Sequence, residues 1–202
     1  MNFLAHIYLS GNNESITIGN FIADGIRGKK YKNYPKDLQI GILLHREIDT
    51  FTDAHPIVRQ STKRLHKNYS HYSGVIVDIL YDHFLAKNWH KYSETPLDIY
   101  VEKFYKSLED NFQILPERTK KMMPFMIADN WLLNYAKIEG IQRVLDGMNR
   151  RTQNRSKMNK ATTELNTYYS EFENEFTLFF DELILFSNNK RIELTIKLNN
   201  QP

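Results

Sequence analysis

The segment from residue 75 to residue 86 reads Val-Ile-Val-Asp-Ile-Leu-Tyr-Asp-His-Phe-Leu-Ala. On a helical wheel its apolar residues go all the way round, which is typical of a helix buried in a core. Asp78 and Asp82 lie four residues apart in this segment, so both fall on one face of that helix. Burying two carboxylates costs on the order of several kcal/mol each in lost hydration. The segment therefore predicts a core helix in which something compensates two acids.

A divalent cation held by hard oxygen ligands would compensate Asp78 and Asp82. Two alternatives stay open at this point. The carboxylates could be satisfied by backbone N–H groups or an arginine, or the helix could be less buried than its sequence indicates.

A similar pattern occurs between residues 40 and 53, where His45 and Asp49 lie four residues apart beside a stripe of apolar residues. An imidazole and a carboxylate one helical turn apart can converge on one metal ion. A His–Asp pair on the helix surface, without metal, is the alternative. Asp53 follows one turn later and fits a helix end equally well.

Asp24 and His6 are each isolated in a largely apolar segment. A single histidine in such a segment is more often a satisfied core residue than a ligand. Four predicted helices, however, carry His or Asp at positions that periodicity would bury. Converging helices with inward histidines and carboxylates are how helical proteins build metal sites.

Helix signals run through nearly the whole chain, which predicts an all-α fold, a single compact domain of at least seven helices. Pro35 and Thr95-Pro96 mark two helix starts. The predicted helices span 3–10, 14–26, 35–53, 56–68, 72–91, 96–111, 117–137, 138–150 and 160–187. We assign residues 1–187 to this domain and 188–202 to a C-terminal tail, in which the alternating apolar residues of 191–197 favour a strand or an ordered tail.

Composition limits the size of the fold, the chemistry of its site and the cellular location that we expect. A chain of 202 residues with 41% hydrophobic residues is long enough for one domain with a sizeable core. Because there is no cysteine, disulfides, thiolate metal sites and a cysteine nucleophile are excluded. The first residues lack a basic region followed by an apolar run, and no segment approaches 18 apolar residues. We expect a cytoplasmic protein that does not enter a membrane.

The net charge is only +3, but basic residues cluster. The three clusters are residues 27–32, residues 63–67 and a group between residues 150 and 160. They could be solvated helix ends and loops, or a landing surface for a polyanion such as nucleic acid or an acidic protein.

Several spaced blocks together resemble a known family. They are Asn2-Phe3-Leu4-Ala5-His6, Gly19-Asn20-x-x-Ala23-Asp24-x-x-Arg27-Gly28, Gly41-Ile42, His45-Arg46-x-Ile48-Asp49-x-x-Thr52-Asp53, Asp78-x-x-x-Asp82-His83-Phe84-Leu85, Trp131-Leu132-x-x-Tyr135 and Ile141-Gln142-x-Val144-Leu145-x-Gly147-Met148. Over roughly residues 1–151 the chain is similar to the bacterial acyl carrier protein phosphodiesterases, also called acyl carrier protein hydrolases, which are divergent relatives of the HD-domain phosphohydrolases. After Arg151 the likeness fades.

The resemblance implies an HD-phosphohydrolase-like fold and an activity. Such enzymes hydrolyse the phosphodiester between 4′-phosphopantetheine and a serine of holo-acyl carrier protein, with a divalent metal ion, typically Mn²⁺, and Mg²⁺, Fe²⁺ or Co²⁺ as alternatives. The chain departs from the wider HD pattern, in which His and Asp are adjacent. Here the order is His45-x-x-x-Asp49, and the only adjacent pair is the reversed Asp82-His83.

On this basis water attacks phosphorus with the help of the metal ion, and each group of residues has an expected role. The expected metal ligands are Asp24, His45, Asp49, Asp78 and Asp82. The expected catalytic residues are Asp24, His6 and His83, with the two histidines supporting the metal or transferring protons. Arg27 and Arg46 are expected to bind the phosphate. Lys29, Lys30 and Lys32 are expected to dock the acidic carrier.

Two other functions remain open from sequence. One is a nucleotide or small-molecule phosphohydrolase of HD type that uses the same metal centre. The other is a non-catalytic helical module whose basic patches hold nucleic acid. That module would not need buried acids, and the chain has no recognisable nucleic-acid motif, so we expect no nucleic-acid partner.

Overall fold

The computed structural model describes residues 1–200, and this part of the chain contains eleven α-helices and no strand. The helices are α1 (Phe3–Leu9), α2 (Glu14–Ile22), α3 (Lys36–Ala54), α4 (Pro56–Tyr69), α5 (Ser73–Lys87), α6 (Leu97–Asp110), α7 (Glu117–Ala128), α8 (Trp131–Asn134), α9 (Ile138–Arg151), α10 (Thr162–Thr167) and α11 (Tyr169–Asn199). Short 3₁₀ turns connect several of them, including Ala23–Gly25 and Gly28–Asn33. The all-α prediction is confirmed.

Helix α5 is buried and packs against α1, α4, α9 and α11. Every residue from Ile79 to Ala86 is buried, including Asp82 and His83. The prediction of a core helix from its all-round apolar sequence is therefore confirmed. It also means that each polar group on α5 must find its partner inside the protein.

Helix α3 packs along α2 on one side and along α11 on the other. Two glycines permit the close approach of α2 and α3. A Cβ atom on Gly19 would lie 2.3 Å from the Leu38 carbonyl oxygen, and one on Gly41 would lie 2.0 Å from that of Ile16. No side chain fits between backbones at that distance. The contact brings Asn20, next to Gly19, beside His45, one turn after Gly41.

Of the two predictions for residues 191–197, the strand is wrong, because this segment is the ordered last part of α11. Its apolar residues follow helical spacing as well as alternation. Leu194 and Leu198, four apart, are each 6% exposed, whereas Ile192 and Ile196 on the other face are more than half exposed. The predicted domain limit at residue 187 falls inside this helix.

Elsewhere the predicted helix boundaries differ from the structure mainly where a helix is interrupted. The expected helix 117–137 is divided into α7 and α8, separated by Asn130 in the left-handed region, at φ 43°. None of the helices within residues 1–200 combines the length and apolar character needed to cross a bilayer. The HD-like relationship stays a prediction.

Candidate metal centre

Two helices bring together His6, His45 and Asp49. His6 comes from α1, and the other two come from successive turns of α3. One potential ligand atom from each residue lies within 4.8 Å of the others. Both imidazoles are buried, while the side chain of Asp49 is 40% exposed. Asp24, in the 3₁₀ turn after α2, places Oδ1 3.2 Å from Nε2 of His45. The structure thus brings four of the predicted site residues to one place.

Asn20 orients both imidazoles. Its Oδ1 lies 2.8 Å from Nδ1 of His6 and 3.2 Å from Nδ1 of His45. Its Nδ2 donates to Ser10 Oγ, which in turn donates to the His6 carbonyl oxygen. Since the amide oxygen can only accept, each Nδ1 carries a proton. Both rings therefore present Nε2 towards the carboxylates.

Nε2 of His6 has no hydrogen-bond partner although it is buried. Burial lowers the pKa of His6 to about 4, with repulsion from His45 as a second cause. The ring is therefore neutral, and with a proton on Nδ1 its Nε2 carries a lone pair. That lone pair lies 3.2 Å from Oδ1 of Asp49. Two acceptors this close repel each other unless a cation lies between them.

His45 is in a different state. Burial alone would lower its pKa, but the carboxylates of Asp24 and Asp49 raise it to about 9. Its Nε2 lies 3.2 Å from Asp24 and 3.1 Å from Asp49, so the protonated ring is paired with both. The hydrogen bond with His45 holds the pKa of Asp24 below its ordinary value. Burial alone would raise the pKa of Asp49, but the contacts with His45 and His6 lower it well below its ordinary value. Both carboxylates are ionised.

This donor set fits a divalent cation. Two Nε2 atoms and the Asp49 carboxylate converge, and the Asp24 carboxylate adjoins Nε2 of His45. Both rings have the remaining nitrogen hydrogen-bonded, and one buried Nε2 is unpartnered. Histidine ligands that donate their other N–H to a fixed acceptor are the usual arrangement in protein metal sites. Mixed imidazole and carboxylate donors suit first-row metals such as Mn²⁺ and Fe²⁺.

Asp78 lies at the edge of this cluster. Its Oδ1 is 3.1 Å from the Met1 amino nitrogen, which also lies 3.6 Å from Oδ1 of Asp49. Burial raises the pKa of Asp78, and the amino group partly offsets that effect. Asp78 thus reaches the cluster through a cationic neighbour, and its role as a metal ligand stays a prediction.

The partners of Asp82 in the structure are backbone N–H groups of α1. Its Oδ2 accepts a hydrogen bond from the Leu4 N–H at 2.7 Å, and its Oδ1 accepts one from the Ala5 N–H at 3.1 Å. These are orphan donors of the first turn of α1, so Asp82 caps that helix. Burial raises the pKa of Asp82 to about 7 despite the two N–H groups. Backbone donors thus compensate the acid, which is one of the alternatives left open from the sequence, and the role of Asp82 as a metal ligand stays a prediction.

His83 is also engaged away from the cluster. Its Nδ1 lies 2.8 Å from the Tyr135 carbonyl oxygen, and its Nε2 lies 2.8 Å from the hydroxyl of Tyr169. The carbonyl accepts the Nδ1 proton, and the Tyr169 hydroxyl donates to Nε2. Because both nitrogens hold structural partners from other helices, these contacts favour a packing role over the predicted catalytic one.

The two arginines that were expected to bind the phosphate have different surroundings in the structure. The Nη2 of Arg46 donates to the Ile26 carbonyl oxygen at 2.9 Å, and its guanidinium lies 5.5 Å from the ring centroid of Tyr31. Arg46 therefore anchors the segment after Asp24. Arg27 is exposed on that segment, as are Lys29, Lys30 and Lys32.

Sequence reasoning missed Asn20 as a site residue. A signal was present, because an asparagine within the apolar run of α2 must find partners when buried, and Asn20 is fully buried. The asparagine gives no indication of which residues it contacts, since His6 and His45 lie 14 and 25 residues away.

Comparison with known proteins identifies one family. The sequence model of a family described as acyl carrier protein phosphodiesterase matches residues 1–183. A protein named acyl carrier protein phosphodiesterase from Photorhabdus laumondii is 32% identical over 191 residues, which cover 94% of this chain and 96% of the relative. Proteins of the same name from Enterobacter sp. (strain 638) and Klebsiella pneumoniae (strain 342) are 31% and 30% identical over 193 residues, covering 95% of this chain and all of each relative. No solved structure matches the chain.

Proposed function

The chain belongs to the acyl carrier protein phosphodiesterase family, and from this we propose that it hydrolyses the phosphodiester joining 4′-phosphopantetheine to a serine of holo-acyl carrier protein. The products are apo-acyl carrier protein and 4′-phosphopantetheine. Family membership supports a phosphodiester hydrolase that acts on acyl carrier protein. The metal dependence, the bond that is cut and the products are our proposal.

The observation that carries the proposal is the unpartnered Nε2 of His6, 3.2 Å from a carboxylate oxygen of Asp49. We propose that His6, His45, Asp49 and Asp24 hold a divalent ion, Mn²⁺ by preference over Mg²⁺, Fe²⁺ or Co²⁺. When bound, such an ion lowers the pKa of a water molecule and neutralises charge on the phosphoryl oxygens.

The chain's own residues supply the remaining steps. Asp24 is the most exposed member of the cluster, with 62% of its side chain accessible, so a substrate can reach it from solvent. Because the contact with His45 lowers the pKa of Asp24, its carboxylate is ionised. In this proposal it accepts the proton of a water molecule whose own pKa the metal ion would lower. Asn20 keeps the imidazoles in the tautomer that presents Nε2.

Phosphate binding falls to Arg27 in this proposal. It follows Asp24 by three residues and is exposed, whereas the guanidinium of Arg46 is already bound to the Ile26 carbonyl oxygen. A guanidinium can pair with two phosphoryl oxygens at once. The neighbouring lysines would then attract the acidic surface of the carrier protein.

The direct test incubates the protein with holo-acyl carrier protein and MnCl₂ and weighs the carrier by mass spectrometry. We expect the carrier to lose the phosphopantetheinyl group and remain otherwise intact. Chelation by EDTA should stop the reaction, and Mn²⁺ in excess should restore it. The variant Asp49→Asn removes a carboxylate of the metal site and should abolish the reaction. Asp110→Asn makes the same change on the exposed end of α6 and serves as its control.

Intact holo-carrier after prolonged incubation with the metal-loaded protein would reject the proposal. A screen of nucleotides and small phosphodiesters would then separate an HD-type phosphohydrolase from a non-catalytic module. The first would release phosphate or nucleoside in the presence of Mn²⁺, and the second would release neither.

A further inference from the structure

A cavity of about 350 Å³ lies along the segment that follows Asp24 in the chain. It is lined by Gly25, Ile26, Lys30, Asn33 and Tyr34. Gly25 follows Asp24 in the chain, and Asp24 contacts His45 at 3.2 Å. The volume lies at the lower end of the range of about 300–1,000 Å³ typical of small-ligand sites. We refer to this cavity as the slot.

Helix α3, which carries His45 and Asp49, also holds the backbone of two residues that line the slot. Arg46 of α3 donates to the Ile26 carbonyl oxygen at 2.9 Å, and Gln39 of α3 donates to that of Tyr34 at 2.8 Å. Arg46 follows His45 directly. The slot and the cluster therefore share one rigid support, which fixes their relative positions.

The lining of the slot combines two kinds of surface. Ile26 and the half-buried ring of Tyr34 contribute apolar surface, whereas Asn33 and Lys30 contribute hydrogen-bonding groups. A surface cavity with this lining suits a flexible chain that alternates carbon segments with amide or hydroxyl groups.

A phosphodiester centred on the cluster has two sides. On one side of the proposed substrate is a serine in a folded acidic protein, which is too wide for a cavity of this size and needs an open surface. On the other side is pantetheine, a slender arm with two amides, a hydroxyl and a pair of methyl groups. We propose that the slot receives the pantetheine arm of the substrate. This inference rests on the proposed function.

Binding of pantetheine alone tests the slot without metal ion or catalysis. In the ¹⁵N-labelled protein we expect pantetheine to shift the amide resonances of Ile26, Asn33 and Tyr34. The variant Gly25→Val adds a branched side chain at a residue that lines the slot, and its Cβ would be in ordinary contact with Pro116 at 3.5 Å. We expect those shifts to disappear in this variant. Unshifted resonances in the parent at millimolar pantetheine, or shifts that persist in Gly25→Val, would overturn the proposal.

Kinetics give a second readout. We compare kcat/KM for holo-acyl carrier protein with kcat/KM for bis(4-nitrophenyl) phosphate, which has no pantetheine. The ratio divides kcat/KM for the carrier by kcat/KM for bis(4-nitrophenyl) phosphate. In Asn33→Ala and in Gly25→Val this ratio should fall about tenfold, mainly because KM for the carrier rises. The control Asn189→Ala, exposed on α11, should keep the parent ratio. An unchanged ratio in both slot variants would reject the slot.

The two proposals fail in distinguishable ways. A parent protein that binds pantetheine but leaves holo-carrier intact refutes the hydrolysis and supports the slot. A parent protein that cleaves holo-carrier, with slot variants that bind pantetheine and cleave equally well, refutes the slot alone.

Discussion

The imidazoles of His6 and His45 are stacked, with ring centroids 3.9 Å apart and planes inclined by 18°. Stacking alone leaves each ring free to turn about its own axis. The common acceptor, Oδ1 of Asn20, removes that freedom because both Nδ1–H groups point at it. Two Nε2 atoms are thus held side by side towards Asp49. A metal site with two imidazole ligands requires this arrangement.

The first prediction concerns Asn20. Replacing it with Ala removes the acceptor, so we expect Mn²⁺ affinity to fall about 10- to 100-fold, as is typical when a residue that orients a histidine ligand is lost. Asn20→Asp keeps an acceptor and should retain more affinity than Asn20→Ala. Titration calorimetry with MnCl₂ measures both. Equal affinities for the parent and Asn20→Ala, with both proteins folded, would contradict the orienting role.

The second prediction concerns Asp82 and pH. The pKa of Asp82 is raised from 3.8 in the unfolded chain to about 7 in the folded protein, mainly by burial. Between these pH values the unfolded state binds fewer protons, so this residue makes the free energy of unfolding fall as pH rises. Asp82→Asn cannot ionise and keeps one acceptor for α1. Relative to the parent, its stability should therefore rise from pH 4.5 to pH 7.

Urea unfolding at several pH values measures this difference. Asp110→Asn, on the exposed end of α6, serves as the control and should show no comparable trend. Asp82→Ala removes both acceptors and leaves the buried Leu4 and Ala5 N–H groups unsatisfied, at about 1–3 kcal/mol each. Asp82→Ala should therefore be the least stable of the three variants. A constant difference between Asp82→Asn and the parent across this pH range would show that Asp82 does not titrate as proposed.

The sequence predicted the fold and part of the site for physical reasons that are visible in particular residues. Helix α5 was predictable because an all-round apolar sequence can only be buried. His45 and Asp49 were predictable as a pair because helical spacing places them one turn apart, and the structure keeps them within 3.1 Å. Local spacing determines such neighbours without knowledge of the tertiary fold.

Long-range partners were not predictable in the same way. Asp82 has the same spacing from Asp78 as Asp49 has from His45, yet its partners are N–H groups 78 and 77 residues away. Arg46 could equally have faced the phosphate or a carbonyl, and only the position of Ile26 decides it. Alternation predicted a strand or an ordered tail at residues 191–197, but over seven residues the same pattern also fits a helix with one buried and one exposed side.

The third prediction concerns the glycine contact between α2 and α3. In Gly41→Ala the new Cβ would lie 2.0 Å from the Ile16 carbonyl oxygen and 2.6 Å from the Asn20 nitrogen. The helices must separate, which should lower the free energy of unfolding by about 1–3 kcal/mol or more. Because Asn20 moves away from His45, Mn²⁺ affinity should fall as well. Chemical denaturation and calorimetry measure the two effects.

Gly147→Ala is the matched control for Gly41→Ala. Gly147 lies in α9, and the nearest heavy atom to its new Cβ would be a flexible arginine nitrogen at 3.9 Å. Alanine should stabilise this helix by about 0.5–1 kcal/mol. Equal stabilities of Gly41→Ala and Gly147→Ala would show that α2 and α3 are not in the close contact described.

The last prediction concerns Lys29 and Lys32, which are exposed on the segment after Asp24 and do not line the slot. An acidic carrier approaching the site would be steered by their charge, and salt screens such steering over a Debye length of about 10 Å at 0.1 M. Lys29→Glu/Lys32→Glu should raise KM for holo-acyl carrier protein about tenfold at low salt, and the effect should shrink as salt increases. The charge-matched control Lys67→Glu/Lys157→Glu changes two lysines of another cavity, which contains no residue of the metal cluster. If both double variants raise KM equally, net charge rather than this surface steers the carrier, and if neither does, the segment is only a solvated connection.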